Sequence, residues 1–398
     1  ASNNTAVGYA SLGANTTGAQ NVAVGRLCLD ANTTASENTA IGNSALGANT
    51  TGGSNTAVGS SALVANTTGT QNVAVGAASL DANTTASEGT AVGWNSLSAN
   101  TTGASNVAVG KSALASNTTA NNNTAVGTSA LGANTTGATN TAVGTAALAT
   151  NTTGATNTAV GRSALYANTT GDRNVAVGTS ALDANTVGDK NIAIGMDALG
   201  ANVDGSRSVA VGDSALMVQD PASAVAMYNT AVGHAAGNAV TTGVQNTFVG
   251  GLAGDATDDG NENVAVGYQS LSANNGDQNT ALGSIALSVA TGANNTGLGR
   301  AAGFQITSGD NNLAIGVDAL RTGSPGGAQT TASNKIGLGD ENISGAHIQV
   351  DWTVASDARD KTDFTVLDLG LDFVKALAPV TYKWDKRSKY GDKTAEGY

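Results

Sequence analysis

Almost everything from which a conventional enzyme core is built is scarce in this chain. Its 398 residues include 3 Pro, 1 Cys and 2 His, and 3 Trp, 7 Tyr and 4 Phe are all of its aromatics. Charged side chains make up 12% of the sequence, about half of the roughly 25% usual in globular domains. The 40% that is hydrophobic is mostly Ala and Val, which leaves little side-chain volume for a deep core and argues against an ordinary enzyme of this length. Cys28 stands alone, so no disulfide framework forms. No apolar run approaches the ~18 residues of a membrane span, which excludes helical membrane insertion. The net charge of −12 disfavours a nucleic-acid partner. The 53 Gly lack a three-residue period and Pro is rare, so collagen is excluded. No leader peptide precedes the pattern; the chain opens within it, and the natural N-terminus is expected upstream of Ala1.

What is abundant is repetition. Asn4-Thr5-Ala6-Val7-Gly8 returns as Asn21-Val22-Ala23-Val24-Gly25 and as Asn38-Thr39-Ala40-Ile41-Gly42, and the phrase begins every 17 residues from position 4 to position 208. Further starts follow at 229, 246, 263, 279, 295, 312 and 335. The two longest steps contain Pro221 and Pro325, which predicts loops near 217–228 and 321–334. The unit reads N-[TV]-A-[VI]-G-x-S-A-L-x-A-N-T-T-G-x-x. Seventeen residues are too few for a helical-hairpin repeat, and a β-favouring phrase, a Gly, a second phrase ending in Leu and an Asn-Thr-Thr-Gly turn describe one coil of a β-solenoid with two short strands. Alternation puts Thr5 and Val7 on one face and Ala6 on the other. The sequence is read here with the Val and Leu rows as the thin core and the Ala row as the surface where identical chains approach closely, in a closed symmetric oligomer.

On these residues, and on Ser208-Val209-Ala210-Val211-Gly212-Asp213-Ser214-Ala215 above all, the repeat resembles the head of trimeric autotransporter adhesins, left-handed parallel β-rolls. The resemblance covers residues 4 to about 340 and implies a homotrimer; twenty rows stacked at about 4.7–4.9 Å give a rod of roughly 90–100 Å.

The composition changes at Asp351. Ile348 to Val354 alternates as a strand, connecting the solenoid (1–340) through 341–355 to a segment at 356–398. There Leu367, Leu369, Leu371, Phe373, Val374 and Leu377 line up as a short helix ended by Pro379, and Val380 to Trp384 reads as a strand. The run Ser356-Asp357-Ala358-Arg359-Asp360-Lys361, followed by Leu371-Asp372-Phe373-Val374-Lys375-Ala376-Leu377-Ala378-Pro379-Val380-Thr381-Tyr382-Lys383-Trp384, resembles the start of the intramolecular-chaperone domain of bacteriophage tail spikes and fibres, which is also a self-cleaving peptidase. The family's G-F-x-A-Q-E-V phrase would lie beyond Tyr398, and Thr-Asp-Phe follows Lys361 where Asn-Ile is commoner. The resemblance implies cleavage between Ala355 and Ser356, with Ser356 as nucleophile, Lys361 as its general base, and Asp357 and Arg359 in support. A serine hydroxyl needs such a base, and a desolvated Lys loses its proton near neutral pH.

Other features have plainer readings. The Asn-Thr-Thr tracts match the N-glycosylation acceptor but read as a stacked turn ladder, and the Thr ranks lack the T-x-T strands of ice-binding solenoids. The acidic loop Asp255, Asp258, Asp259 and Glu262 offers oxygen ligands for calcium, against the reading of a solvated loop. His234 and His347 lie far apart with no Cys or His neighbour, so no metal site is expected, nor any cofactor. Trp94, Tyr166 and Tyr268 fall in variable, outward slots where aromatics can stack on sugars, although single exposed aromatics are normal and need no function, and Cys28 reads as a small core filler.

The whole reads as an all-β, trimeric, parallel β-solenoid shaft followed by a small α+β chaperone segment: an extracellular phage tail fibre of the virion. A host-surface receptor or glycan and other tail proteins are its expected partners. A bacterial trimeric surface adhesin is the alternative. A glycan-degrading tailspike would need clustered carboxylates, which are almost absent between residues 1 and 170.

Overall fold

The chain divides into two units, Ala1–Ile343 and Ser344–Tyr398; the structure, a computed structural model, describes residues 2–345, 347, 376 and 377. In the first unit each repeat phrase forms one three-residue strand. β1 is Thr5–Val7, β2 is Val22–Val24, β3 is Thr39–Ile41, and the series continues through β15 (Thr247–Val249) to β19 (Leu313–Ile315) and β20 (Ile336–Leu338). Each strand pairs in parallel with the strand one coil later. Thr5 faces Val22, Ala6 faces Ala23 and Val7 faces Val24, and the register is unchanged at the far end, where Leu313 faces Ile336. All twenty strands make one sheet, the all-β parallel solenoid that the period predicts.

The two faces of the strand are the reverse of the sequence reading. Ala23, Ala40 and Ala57 are wholly buried inside the coil, packed with Leu29, Leu46 and Leu63. The β-branched residues on either side point outward, and Ile41 remains 40% exposed. The reason is circumference. A 17-residue coil is too narrow to hold a Val row opposite a Leu row, so the inside accepts one Leu and a methyl group from the strand across from it. The Ala row is therefore intramolecular core and no meeting place for chains.

The second phrase forms a turn, where a second strand was expected. Ser44 and Leu46 have φ of 58° and 52°, and this left-handed conformation repeats in most coils. It costs about 1–2 kcal/mol for a residue with a side chain. Burial of Leu46, worth about 1.5–3 kcal/mol, opposes that cost. So do ladder hydrogen bonds from Ser44 N–H to the Arg26 carbonyl (2.9 Å) and from Leu46 N–H to the Ala62 carbonyl (3.0 Å). Gly42 between strand and turn has φ of 134°, and a Cβ there would lie 2.5 Å from the Gly59 carbonyl oxygen. Only glycine meets both the angle and the approach.

Two columns of buried asparagine tie the coils together. Asn38, which precedes β3, donates from Nδ2 to the Gly52 carbonyl (2.9 Å), and its Oδ1 accepts the Asn55 N–H (3.0 Å). Asn49, in the turn, donates to the same Gly52 carbonyl (2.9 Å) and to Oδ1 of Asn32 in the preceding coil (3.1 Å). Both side chains are fully buried, where an unpartnered amide would cost about 1–3 kcal/mol. At the longer step, Gln219 takes the turn position, and its Nε2 donates to Asn202 Oδ1 at 3.0 Å. Its Oε1 accepts from Asn229 Nδ2 at 2.9 Å, so the longer amide joins the turn column to the strand column across the loop.

Coil β15 departs from the pattern in a compensated way. Phe248 replaces the inward Ala and is fully buried, and the Leu positions on either side of it are Gly237 and Gly254. A Cβ on Gly254 would stand 2.5 Å from the Phe248 ring, so large and small side chains have exchanged places across the core.

Phe248→Ala is expected to destabilise the solenoid by about 3–5 kcal/mol through the cavity it opens. Gly254 already holds φ of 61°, close to the Leu46 angle, so adding Gly254→Leu should recover much of the loss. Thermal or denaturant unfolding of the single and double variants checks this; a double variant less stable than Phe248→Ala refutes the exchange.

Candidate functional site

Ser356, Asp357, Arg359 and Lys361, and the Ala355–Ser356 bond, lie outside the described residues. So do the strands expected at 348–354 and 380–384, and the helix expected over 367–377 apart from its last two residues, of which Ala376 is helical and Leu377 is exposed. The side chains that can be placed belong to the solenoid and its immediate edge.

There the asparagines of the Asn-Thr-Thr tracts are structural. Asn32, Asn49 and Asn66 are fully buried with their amide nitrogens engaged in the column, so these tract asparagines present no acceptor nitrogen for glycosylation. The acidic loop uses its members separately. Asp258 accepts from the Thr241 hydroxyl, Glu262 Oε2 accepts from Gln278 Nε2 at 3.0 Å, Asp259 is exposed, and Asp255 turns partly inward. Among the described residues no group of three or more His, Cys, Asp or Glu side chains is placed to hold a metal ion. No helix among them is long and apolar enough to cross a membrane.

Trp94 and Tyr268 are each 55% exposed and Tyr166 43% exposed, as their slots predict. Lys111, one coil after Trp94 in the same outward row, lies over its ring at 5.5 Å from the centroid. Two grooves flank the longer steps. One of about 390 Å³ is lined by Asn294, Asn311, Asn334, Thr296, Leu313 and Ile336 among others. The other, about 170 Å³, lies between Asp189, Lys190, Ser206, Arg207 and Ala224–Ala226. Its polar groups serve the loop: Ser206 Oγ accepts the Asp189 N–H at 2.9 Å, and Arg207 lies over the Tyr228 ring. Cys28 is buried in a position held by Ala in the next coil, and its thiol donates to the Gly42 carbonyl at 2.6 Å. Desolvation pushes its pKa up, which removes thiolate character.

The position after the core Leu carries an electrostatic signal that sequence reading missed. Asp81, Asp183 and Asp255 all occupy it or its equivalent, and burial raises each carboxyl above its ordinary value of 3.8; Asp197 adds repulsion at Asp183. Asp81 and Asp255 each hold one buried oxygen without a hydrogen-bond partner among the described residues. A carboxyl with a raised folded-state pKa favours the fold when protonated, so this stability is present below about pH 3.8 and is lost as pH rises through the raised value. Asp81→Ala, the residue found at Ala115, should therefore raise the melting temperature at neutral pH, with the gain fading in acid. A gain that grew on acidification would contradict the assignment; parallel melting curves from pH 3 to 8 decide.

Comparison with known proteins bears on the other end of the chain. No curated protein matches this sequence. Residues 356–397 match the family model described as the chaperone of endosialidase, and that span holds both Ser356 and Lys361. The family implies trimer formation, and a β-solenoid preceding such a segment fits a fibre- or tailspike-type protein with a C-terminal chaperone.

Proposed function

We propose that this protein is the shaft of a bacteriophage tail fibre, a structural homotrimer of the virion that holds a host-attachment element away from the particle. The observation that carries the reading is the succession of a twenty-strand solenoid and a chaperone-of-endosialidase segment at 356–397. A repetitive stack needs the second part. A slip of one coil against a neighbouring chain preserves most contacts, so registration has to be imposed from one end. A host-surface receptor or glycan and other tail proteins are the partners in this reading.

The segment is proposed to act once as its own peptidase. Lys361, deprotonated by desolvation, takes the Ser356 hydroxyl proton as the oxygen attacks the Ala355 carbonyl carbon. The proton then passes to the departing Ser356 amine as the peptide bond breaks, and water releases the resulting ester. Asp357 and Arg359 position the loop. Removing the chaperone leaves a trimer that cannot unfold by reversing its assembly, which makes it kinetically stable.

Expression from a gene carrying a complete chaperone segment should yield a mature chain ending at Ala355 and a released C-terminal fragment. Ser356→Ala and Lys361→Ala should leave a full-length trimer, and Arg359→Ala should slow cleavage. Intact-mass spectrometry with light scattering separates the claims. An uncut wild-type trimer removes the peptidase and keeps the fibre; a folded monomer removes the fibre.

A further inference from the structure

We infer that the outward face of the twenty strands is the surface on which copies of this chain pack, side by side and in register. The inference rests on the trimeric reading and adds where the chains meet.

The third residue of every strand is Val, Ile or Leu, from Val7 in β1 to Leu338 in β20. In an isolated coil these side chains point away from the core. Val126 and Val143 are each 37% exposed, Ile194 39% and Leu298 44%. The first residue of each strand shares that face and is Thr, Val, Ile or Leu throughout, so no charged side chain enters it along the whole sheet. Elsewhere the coil surface follows the ordinary rule. The outward position just before the leading Asn carries Glu37, Glu88, Arg173, Lys190 and Arg207 in different coils. A monomer would gain solubility from similar variety on the strands, and Thr at the first position proves the backbone accepts a polar residue there. The aliphatic restriction at the third position therefore has a cause outside the single coil.

Twenty half-exposed aliphatic side chains present on the order of 1,000 Å² per chain, more than the roughly 800 Å² that each partner contributes to a standard stable interface. Exposed apolar patches on soluble monomers are usually only about 300–600 Å². The occupant is identified by period. The face repeats once per coil for the full length of the sheet, and a partner that covers it must repeat with the same rise over the same length. A second copy in parallel orientation does so by construction, with each row of Val or Ile meeting the same row of its neighbour. The absence of charge on this face also lets chains of net charge −12 approach without burying like charges.

The test replaces Val126, Val143 and Val160 together with Thr, the residue already found outward at Thr124, Thr141 and Thr158, so strand propensity and the inner core are kept. A control carries Thr136→Ser and Thr153→Ser on the exposed turn rank. Wild type and control should have the mass of three chains by light scattering across a dilution series. The Val→Thr variant should need at least about tenfold higher concentration to hold the trimer, with an unchanged β-sheet circular-dichroism signal. Hydroxyl-radical labelling of the wild type should find Val126 and Val143 protected and Trp94 and Tyr166 modified. A trimer whose dissociation is unmoved by the substitutions and whose Val126 labels freely overturns the interface and keeps the trimer. A wild type that is a folded monomer overturns both.

Discussion

The inside of a 17-residue coil is the constraint from which the rest of this structure follows. It has room for one Leu, small side chains such as Ala40 and Ala45, and the two amides of Asn38 and Asn49. So little apolar volume per coil makes hydrogen bonding between coils decisive. In the coils around Asn38 and Asn49 the amides do this with their polar groups paired, because Gly52 O collects two of them and each Oδ1 passes the connection onward. Farther along, Asn263 Nδ2 and Asn275 Oδ1 lack a partner among the described residues. Every further feature is an adjustment to the same space, including the left-handed Leu46, the Gly42 approach and the exchange at Phe248.

The period, the parallel stacking and the strand phrase were legible because each is written many times. The direction of the strand faces was not. Alternation states that Ala40 lies opposite to Thr39 and Ile41 and says nothing about which side is enclosed, and the usual rule that larger apolar residues go inside fails when the enclosure is this narrow. The second phrase misled for a different reason. Ser44 and Leu46 carry no sequence mark of left-handed backbone, and the conformation is imposed by the closing of the coil. The Asp81, Asp183 and Asp255 position was invisible because its residue type varies from coil to coil, from Gly47 and Ala115 to Val64 and Tyr166, and its half-buried state depends on the coils above and below.

The functional reading divides along the chain in the same way. The solenoid has a legible architecture, whereas the proposed chemistry rests on a short motif, Ser356 to Lys361, within the span that matches the chaperone-of-endosialidase model. Shape and the proposed chemistry thus fall on separate stretches, in keeping with the proposal of a mechanical shaft and a terminal segment that acts once.

Phe248 between Gly237 and Gly254 gives an otherwise uniform stack an address. If the coil of Gly237, which precedes β15, looped out and the stack closed over the gap, the Phe248 ring would meet Leu216 where it now meets a glycine, and two large side chains would claim one volume. Overpacking of this kind costs about 1–3 kcal/mol, while a slip among the uniform coils between β2 and the coil of Leu199 replaces Ala with Ala and Leu with Leu. The irregular coils therefore work as index marks on a ruler. They fix the count of rungs on either side of them, and they confine register errors to the uniform stretch, where two chains can still differ by a whole coil and look alike at every contact.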